Sequence, residues 1–257
     1  MDFASLFRLE DSVAMVVGGY GGIGSELCKG LAYYGARVAV VGRSEKKAKA
    51  LARVIDRTGG EALGLTGDIC HPDDVARLVQ TVMDHFGRID IMINCAGTHA
   101  DRPAEKYEEK DWDRVVDLNL KGAFLVAQAV GRVMIKQKRG KIINISSVRS
   151  VLGIRSGYVA YCSSKGGLNM LTKQLASEWA QYNININAIA PTFIRTELVS
   201  HYLNRKEFYE SLINRIPMGR VGEPMDLVGA TIFLASPASD FITGQILFVD
   251  GGVTACQ

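Results

Sequence analysis

Tyr161 and Lys165 stand four residues apart in Tyr161-Cys162-Ser163-Ser164-Lys165, a phenol and an amine that a helix would stack on one face. An ammonium held there favours the phenolate and draws the tyrosine pKa down from its solution value of about 10. The phenol then becomes a proton donor and acceptor usable near neutral pH. Such spacing is common on solvated helix faces, so its weight rests on what precedes it. Upstream lie a Ser146-Ser147 pair at an expected strand end and a glycine-rich turn near the N-terminus.

That turn, Gly18-Gly19-Tyr20-Gly21-Gly22-Ile23-Gly24, follows the apolar run Val13–Val17 and opens a helix-like segment. Glycines are needed where a strand turns sharply into a helix and where backbone approaches a pyrophosphate. The exposed N–H groups and the positive helix end then hold phosphate. Strand, glycine turn and helix in this order point to a dinucleotide site, with a purely structural turn as the alternative.

The second strand ends Val40-Val41-Gly42-Arg43-Ser44. An NAD site usually places an acid there, about 20 residues after the glycines, to bond the ribose 2′-hydroxyl. Gly42 removes that carboxylate, and Arg43 supplies a fork for a 2′-phosphate. The expected cofactor is therefore NADP(H), preferred over NAD(H). An exposed arginine at a helix start is the alternative.

The elements that must position these groups follow from periodicity. Short β-branched runs recur at Val13–Val17, Val38–Val41, Ile89–Ile93, Lys141–Ile145, Ile184–Ile189 and Ile246–Val249. Between them lie amphipathic stretches such as Glu26–Tyr34, Glu45–Asp56, Asp73–Phe86, Trp112–Lys136 and Leu168–Tyr182. Alternating strands and helices imply βαβ units around a buried parallel sheet. The expected fold is one α/β domain spanning residues 1–257, a Rossmann-type doubly wound parallel sheet of about seven strands with helices on both faces. Residues 191–217, rich in aromatics and arginines, form a candidate lid over a ligand. A surface helix pair packed on the core is the plainer reading of that segment.

Composition narrows the function. A net charge of +3, from 30 basic and 27 acidic residues without a concentrated basic patch, argues against a nucleic-acid partner. Five scattered cysteines with no Cys-x-x-Cys pair suit reduced thiols in the cytoplasm. Four histidines at 71, 85, 99 and 201 have no metal-ligand spacing, so no metal is expected. Met1–Glu10 lacks the apolar core of a secretory signal, and no apolar run approaches the roughly 18 residues of a membrane span. A cytoplasmic protein with a small-molecule partner is expected.

With these residues together, the chain resembles the short-chain dehydrogenase/reductase family along essentially its whole length. The glycine turn matches Thr-Gly-x-x-x-Gly-x-Gly, with Val17 in place of the threonine. Asn94-Cys95-Ala96-Gly97 resembles Asn-Asn-Ala-Gly, with one asparagine replaced. Asn119, Ser147, Tyr161 and Lys165 match the catalytic tetrad, and Pro191-Thr192 stands where Pro-Gly is usual. Asp68 matches the aspartate beside the adenine, and Thr196 the residue that meets the nicotinamide amide. Together the cofactor set is Gly18, Tyr20, Gly21, Gly22, Ile23, Gly24, Arg43, Ser44, Asp68, Ile69, Asn94, Ala96, Gly97, Tyr161, Lys165, Pro191, Ile194 and Thr196. Ser147 precedes Tyr161 by 14 residues, one more than usual, which an extra residue in the 148–157 loop absorbs. Ser146 is the fallback for the serine role.

The resemblance implies hydride transfer between a nicotinamide and a carbonyl carbon. Tyr161 is then the proton donor and Ser147 the hydrogen-bonding partner of the same oxygen. Lys165 tunes Tyr161 and holds the ribose, while Asn119 anchors a proton relay. It also implies a homotetramer or homodimer. The segments Arg215–Pro224 and Phe248–Gly252 look like the gluconate 5-dehydrogenase and deoxygluconate dehydrogenase group. Candidate substrate residues are Arg102, Arg149 and Arg155, which would pair with an anion, and Tyr158 as a pocket or packing residue. Neutral polyols remain open as substrates. A 3-oxoacyl-(acyl-carrier-protein) reductase is the competing enzyme, and a non-catalytic nucleotide sensor or scaffold the reading from another class.

Overall fold

Pairing of the β-branched runs builds the sheet in this computed structural model, which describes residues 3–155 and 157–256. The strands are β1 (Val13–Val17), β2 (Arg37–Gly42), β3 (Ala62–Thr66), β4 (Ile91–Asn94), β5 (Gly140–Ile145), β6 (Ile184–Pro191) and β7 (Ile246–Val249). All neighbouring pairs are parallel, in the order β3-β2-β1-β4-β5-β6-β7. Every residue of β1 and of β6 is buried, the pattern of strands covered on both faces.

Side-chain alternation feeds two cores. Val13, Met15 and Val17 point to one face, where they meet α3 (Pro72–Phe86), α5 (Gly122–Gln137) and α6 (Val159–Trp179). Ala14 and Val16 point to the other, against α1 (Gly22–Tyr33), α2 (Glu45–Arg57) and α9 (Val228–Ala235). After β1 the chain winds outward through β2 and β3, then returns to place β4 on the other side of β1. Ligand crevices of such sheets form at this switch point, outside the carboxyl ends of the strands.

Several expected elements change in detail. β3 was absent from the expected runs because Ala62-Leu63-Gly64-Leu65-Thr66 is half-exposed and carries few β-branched residues. Its Gly64 lets α2 pack against the strand, since a Cβ there would fall 2.5 Å from Lys49 N. The stretch read as one helix over Trp112–Lys136 is α4 (Glu109–Val116), a π-helical turn at Asp117–Lys121, and α5. The last long helix starts at Val159 rather than Leu168, so it carries both Tyr161 and Lys165. Within 191–217 the chain forms α7 (Glu197–Leu203) and α8 (Lys206–Ile213) over a small apolar cluster of Leu203, Leu212, Ile216 and Val221.

One further expectation is corrected. The helical stretch Glu109–Gln137 is long and apolar enough by composition to cross a membrane. Its Val126, Ala127, Val130 and Met134 are instead buried in the core against the sheet.

Candidate active site

Two adjoining cavities open at the switch point. The larger, about 520 Å³, is walled by Gly18, Tyr20, Gly21, Gly22, Ile23, Gly24, Arg43, Asp68, Ile69, Ala96, Gly97 and Thr196 among others. The smaller, about 190 Å³, is walled by Ser147, Tyr161, Lys165, Arg149, Tyr158, His99, Pro191, Ile194 and Tyr202 among others. Ile23, Cys95, Gly97 and Thr196 line both, so the two form one continuous cleft.

The glycine turn explains the larger cavity. Gly18 sits at φ +71°, and a Cβ there would come 2.9 Å from Ala96 N. The turn delivers α1 with Gly21 as its N-cap, no side-chain cap and no acidic residue in its first turn. Its leading N–H groups therefore have no capping side chain or first-turn carboxylate of their own helix to satisfy them. These residues fit a dinucleotide.

Not every expected cofactor residue lines that wall. Asn94 is 1% exposed and accepts from Ala96 N at 3.2 Å, so it shapes the turn after β4. Ser44 caps α2, its Oγ accepting from Lys47 N at 3.4 Å. Asp68 does line the wall, and it also caps its own loop, one carboxylate oxygen accepting from Cys70 N at 2.9 Å.

In the smaller cavity the first turns of α6 carry Tyr161 and Lys165. Lys165 Nζ donates to Ile145 O at 2.7 Å and lies 5.8 Å from the centre of the Tyr161 ring. The Ser147 hydroxyl, which accepts from Arg149 N at 3.1 Å, stands by the Tyr161 phenol on the same cavity wall and favours its charged form. Ser146, the fallback, donates instead to Asn169 Oδ1 at 2.7 Å.

Electrostatics here differ from the sequence expectation. Burial pushes the Tyr161 pKa up, against an opposing contribution from the neighbouring Ser147 hydroxyl. Lys165 is itself 4% exposed, and burial lowers its pKa to about 8. Its Nζ is directed to a backbone carbonyl rather than to the phenolic oxygen, so the expected lowering of Tyr161 does not appear. Tyr161 is a protonated acid at neutral pH.

Asn119 sits in the π-helical turn, fully buried. Its Nδ2 donates to Thr98 O at 2.9 Å and to Ser164 Oγ at 3.0 Å, and its Oδ1 accepts from Thr98 N at 2.8 Å. Ser164 Oγ in turn donates to Tyr161 O at 2.8 Å. Asn119 thus ties the loop after β4 to the turn of α6 that carries Tyr161. Single π turns of this kind recur at functional sites.

The four substrate candidates separate. Arg149 and Tyr158 line the smaller cavity. Arg149 donates to Gly153 O at 2.9 Å, and burial lowers its pKa. Arg102 is engaged by Glu108 at 3.0 Å and Asp111 at 2.9 Å, and Arg155 is exposed; neither lines the cavity. Sequence reasoning missed the apolar wall of Val148, Ile154, Phe193 and Val199. It also missed the ring stack of His99 on Tyr158, whose centroids lie 5.4 Å apart. Tyr202 of α7 lines the same cavity with its ring centroid 6.4 Å from that of His99, which joins the cavity wall to the 191–217 segment.

Comparison with known proteins agrees with this geometry. Residues 18–254 match the family described as enoyl-(acyl carrier protein) reductase. The chain is 40% identical over 254 residues to gluconate 5-dehydrogenase of Gluconobacter oxydans, covering 99% of each. It is 39% identical over 247 residues to a 3-oxoacyl-[acyl-carrier-protein] reductase of Synechocystis, covering 95% of this chain and 98% of the relative. The crystal structure of a gluconate 5-dehydrogenase from Burkholderia cenocepacia with NADP and tartrate superposes with a TM-score of 0.95 at 41% identity, covering 98% of this chain and 99% of that one. The chain therefore belongs to the short-chain dehydrogenase/reductase family, NAD(P)-dependent enzymes that interconvert alcohols and ketones.

Proposed function

We propose that the protein is an NADP(H)-preferring oxidoreductase that interconverts a secondary alcohol and a ketone on a small hydroxylated acid. The observation that carries this reading is the Ser147–Tyr161 hydroxyl pair, opening on a cavity whose wall adds the Arg149 guanidinium. When bound, the cofactor supplies or accepts the hydride. Tyr161 gives its phenolic proton to the oxygen that gains charge, and Ser147 hydrogen-bonds the same oxygen. Lys165 would hold the nicotinamide ribose, and Asn119 keeps the Tyr161 turn in register with the loop after β4. Arg149 would take the substrate carboxylate through charge-assisted bonds. Relatives that act on gluconate support an acid of this class.

Arg43, exposed on the wall of the larger cavity and without an ion pair among the described residues, supports the NADP(H) preference. Residues 191–217 act as the substrate lid, a role supported by Phe193, Val199 and Tyr202 lining the smaller cavity. The exposed Trp112, Phe124 and Met170 on α4, α5 and α6 support assembly into a homotetramer or homodimer. Five free thiols support work in the cytoplasm.

The apolar wall of Val148, Ile154, Phe193 and Val199 favours one competing substrate, a 3-oxoacyl thioester. The test is turnover of NADPH and NADH with keto forms of sugar acids, neutral polyols and 3-oxoacyl thioesters. Faster turnover of keto acids with NADPH is expected. Preference for thioesters would transfer the assignment, and no turnover with any compound would favour a sensor.

A further inference from the structure

Gly42 at the end of β2 has no space for a side chain, and the occupant of that space is Tyr20. A Cβ on Gly42 would run into the Tyr20 ring, with Cε1 nearest, Cζ at 2.8 Å and Cδ1 at 3.0 Å. The ring is held there at both ends. Its body packs on the core between the sheet and α1, and its hydroxyl oxygen accepts from Ser44 N at 2.8 Å. Because that oxygen is the acceptor, the phenolic proton is left to donate elsewhere. Tyr20, Gly42 and Arg43 all line the larger cavity.

From this we infer that Tyr20 is a cofactor-specificity residue: its ring excludes an acid at position 42, and its O–H joins Arg43 in binding the 2′-phosphate. The inference rests on the NADP(H) reading above. An acid at the end of β2 would bond the ribose 2′-hydroxyl and repel a 2′-phosphate. To accept one, Tyr20 must swing away and release Ser44 N. Gly42 and Tyr20 thus act as one unit, and a single substitution at position 42 does not reproduce an NAD site. A hydroxyl donor beside a guanidinium also suits a phosphate dianion, which offers several acceptor oxygens.

Binding can be read without turnover, by calorimetry of the protein with 2′,5′-ADP and with 5′-AMP, which lacks the 2′-phosphate. Tyr20→Phe is expected to weaken 2′,5′-ADP about tenfold, the worth of a hydrogen bond to a charged group, and to leave 5′-AMP within twofold. Unchanged or tighter 2′,5′-ADP binding, or equal loss for both ligands, would overturn the donor role. Gly42→Asp alone is expected to bind 5′-AMP no tighter than the parent, whereas Tyr20→Ser/Gly42→Asp binds it several-fold tighter. Equal gains in both variants would overturn the steric role. Arg43→Ala tests the underlying reading separately: it should lower the 2′,5′-ADP to 5′-AMP affinity ratio. If it does not, the NADP(H) preference itself fails, whatever Tyr20 does.

Discussion

The Ser146 hydroxyl donates to Asn169 Oδ1 across 2.7 Å, one of three polar links among the described residues that tie α6 to the end of β5 and the residue after it. Lys165 Nζ to Ile145 O and Asn144 Nδ2 to Thr172 Oγ1, at 2.7 and 3.0 Å, are the others. Lys165, Asn169 and Thr172 follow one another at helical spacing, so they share a stripe along α6. The stripe fixes the height of Tyr161 above the end of β5, two residues before Ser147.

Adjacent serines should therefore fail differently. Ser146→Ala leaves Asn169 Oδ1 buried without its donor, which costs about 1–3 kcal/mol and lowers the urea midpoint. Ser147→Ala removes only the cap on Arg149 N, so it should lower the midpoint less and lose roughly 10²–10³ in kcat. Urea unfolding and steady-state rates on both variants check this, and exchanged phenotypes would reverse the two roles.

Removing the phenol oxygen should separate chemistry from binding. Tyr161→Phe is expected to retain NADPH affinity in a fluorescence titration while kcat falls at least about 10²-fold. Retained turnover would show that the proton comes from another group.

Lys165 should leave a signature in stability against pH. Burial lowers its folded pKa to about 8, below the unfolded value of about 10.4. Between those values the unfolded chain binds the extra proton, so this group makes the protein more stable as pH rises. Its penalty is full below pH 8 and relieved above about 10.4. The unfolding free energy of wild type relative to Lys165→Met should thus move in favour of wild type across that window, by up to about 3 kcal/mol. Urea titrations at pH 7, 9 and 10 suffice, and a difference independent of pH would contradict the burial.

Substrate contacts should appear in KM. Arg149→Gln is expected to raise KM for an acidic substrate about tenfold or more, with NADPH affinity unchanged. Tyr202→Ala takes the α7 ring out of the cavity wall beside His99 and should raise KM several-fold, with faster proteolysis within 197–213. If Arg149→Gln instead weakens NADPH and leaves KM alone, its guanidinium serves the cofactor.

The sheet was legible because strands buried on both faces must be nearly continuous apolar runs, as in β1 and β6. Edge strand β3 was not, since half-exposed Ala, Gly and Thr carry little periodic signal. The cleft residues could be read where a motif fixes them to a strand end, as Gly18 and Ser147 are. Arg102 misled because its partners Glu108 and Asp111 come within reach only when the loop folds back. The contact of Tyr20 with Gly42 joins positions 22 residues apart in sequence (42 − 20), and no local pattern announces it. The direction of the Tyr161 shift was misread because Lys165 chose a carbonyl over the phenol.

The winding of the sheet about β1 has a consequence for descent. Walls of the larger cavity come mainly from residues up to Gly97, and those of the smaller one mainly from Ile145 to Tyr202. A duplicated gene can therefore drift in its second half and acquire a new substrate while inheriting its nucleotide grip intact. Ile23, Cys95, Gly97 and Thr196, shared by both walls, are the positions where such drift is felt on both sides at once.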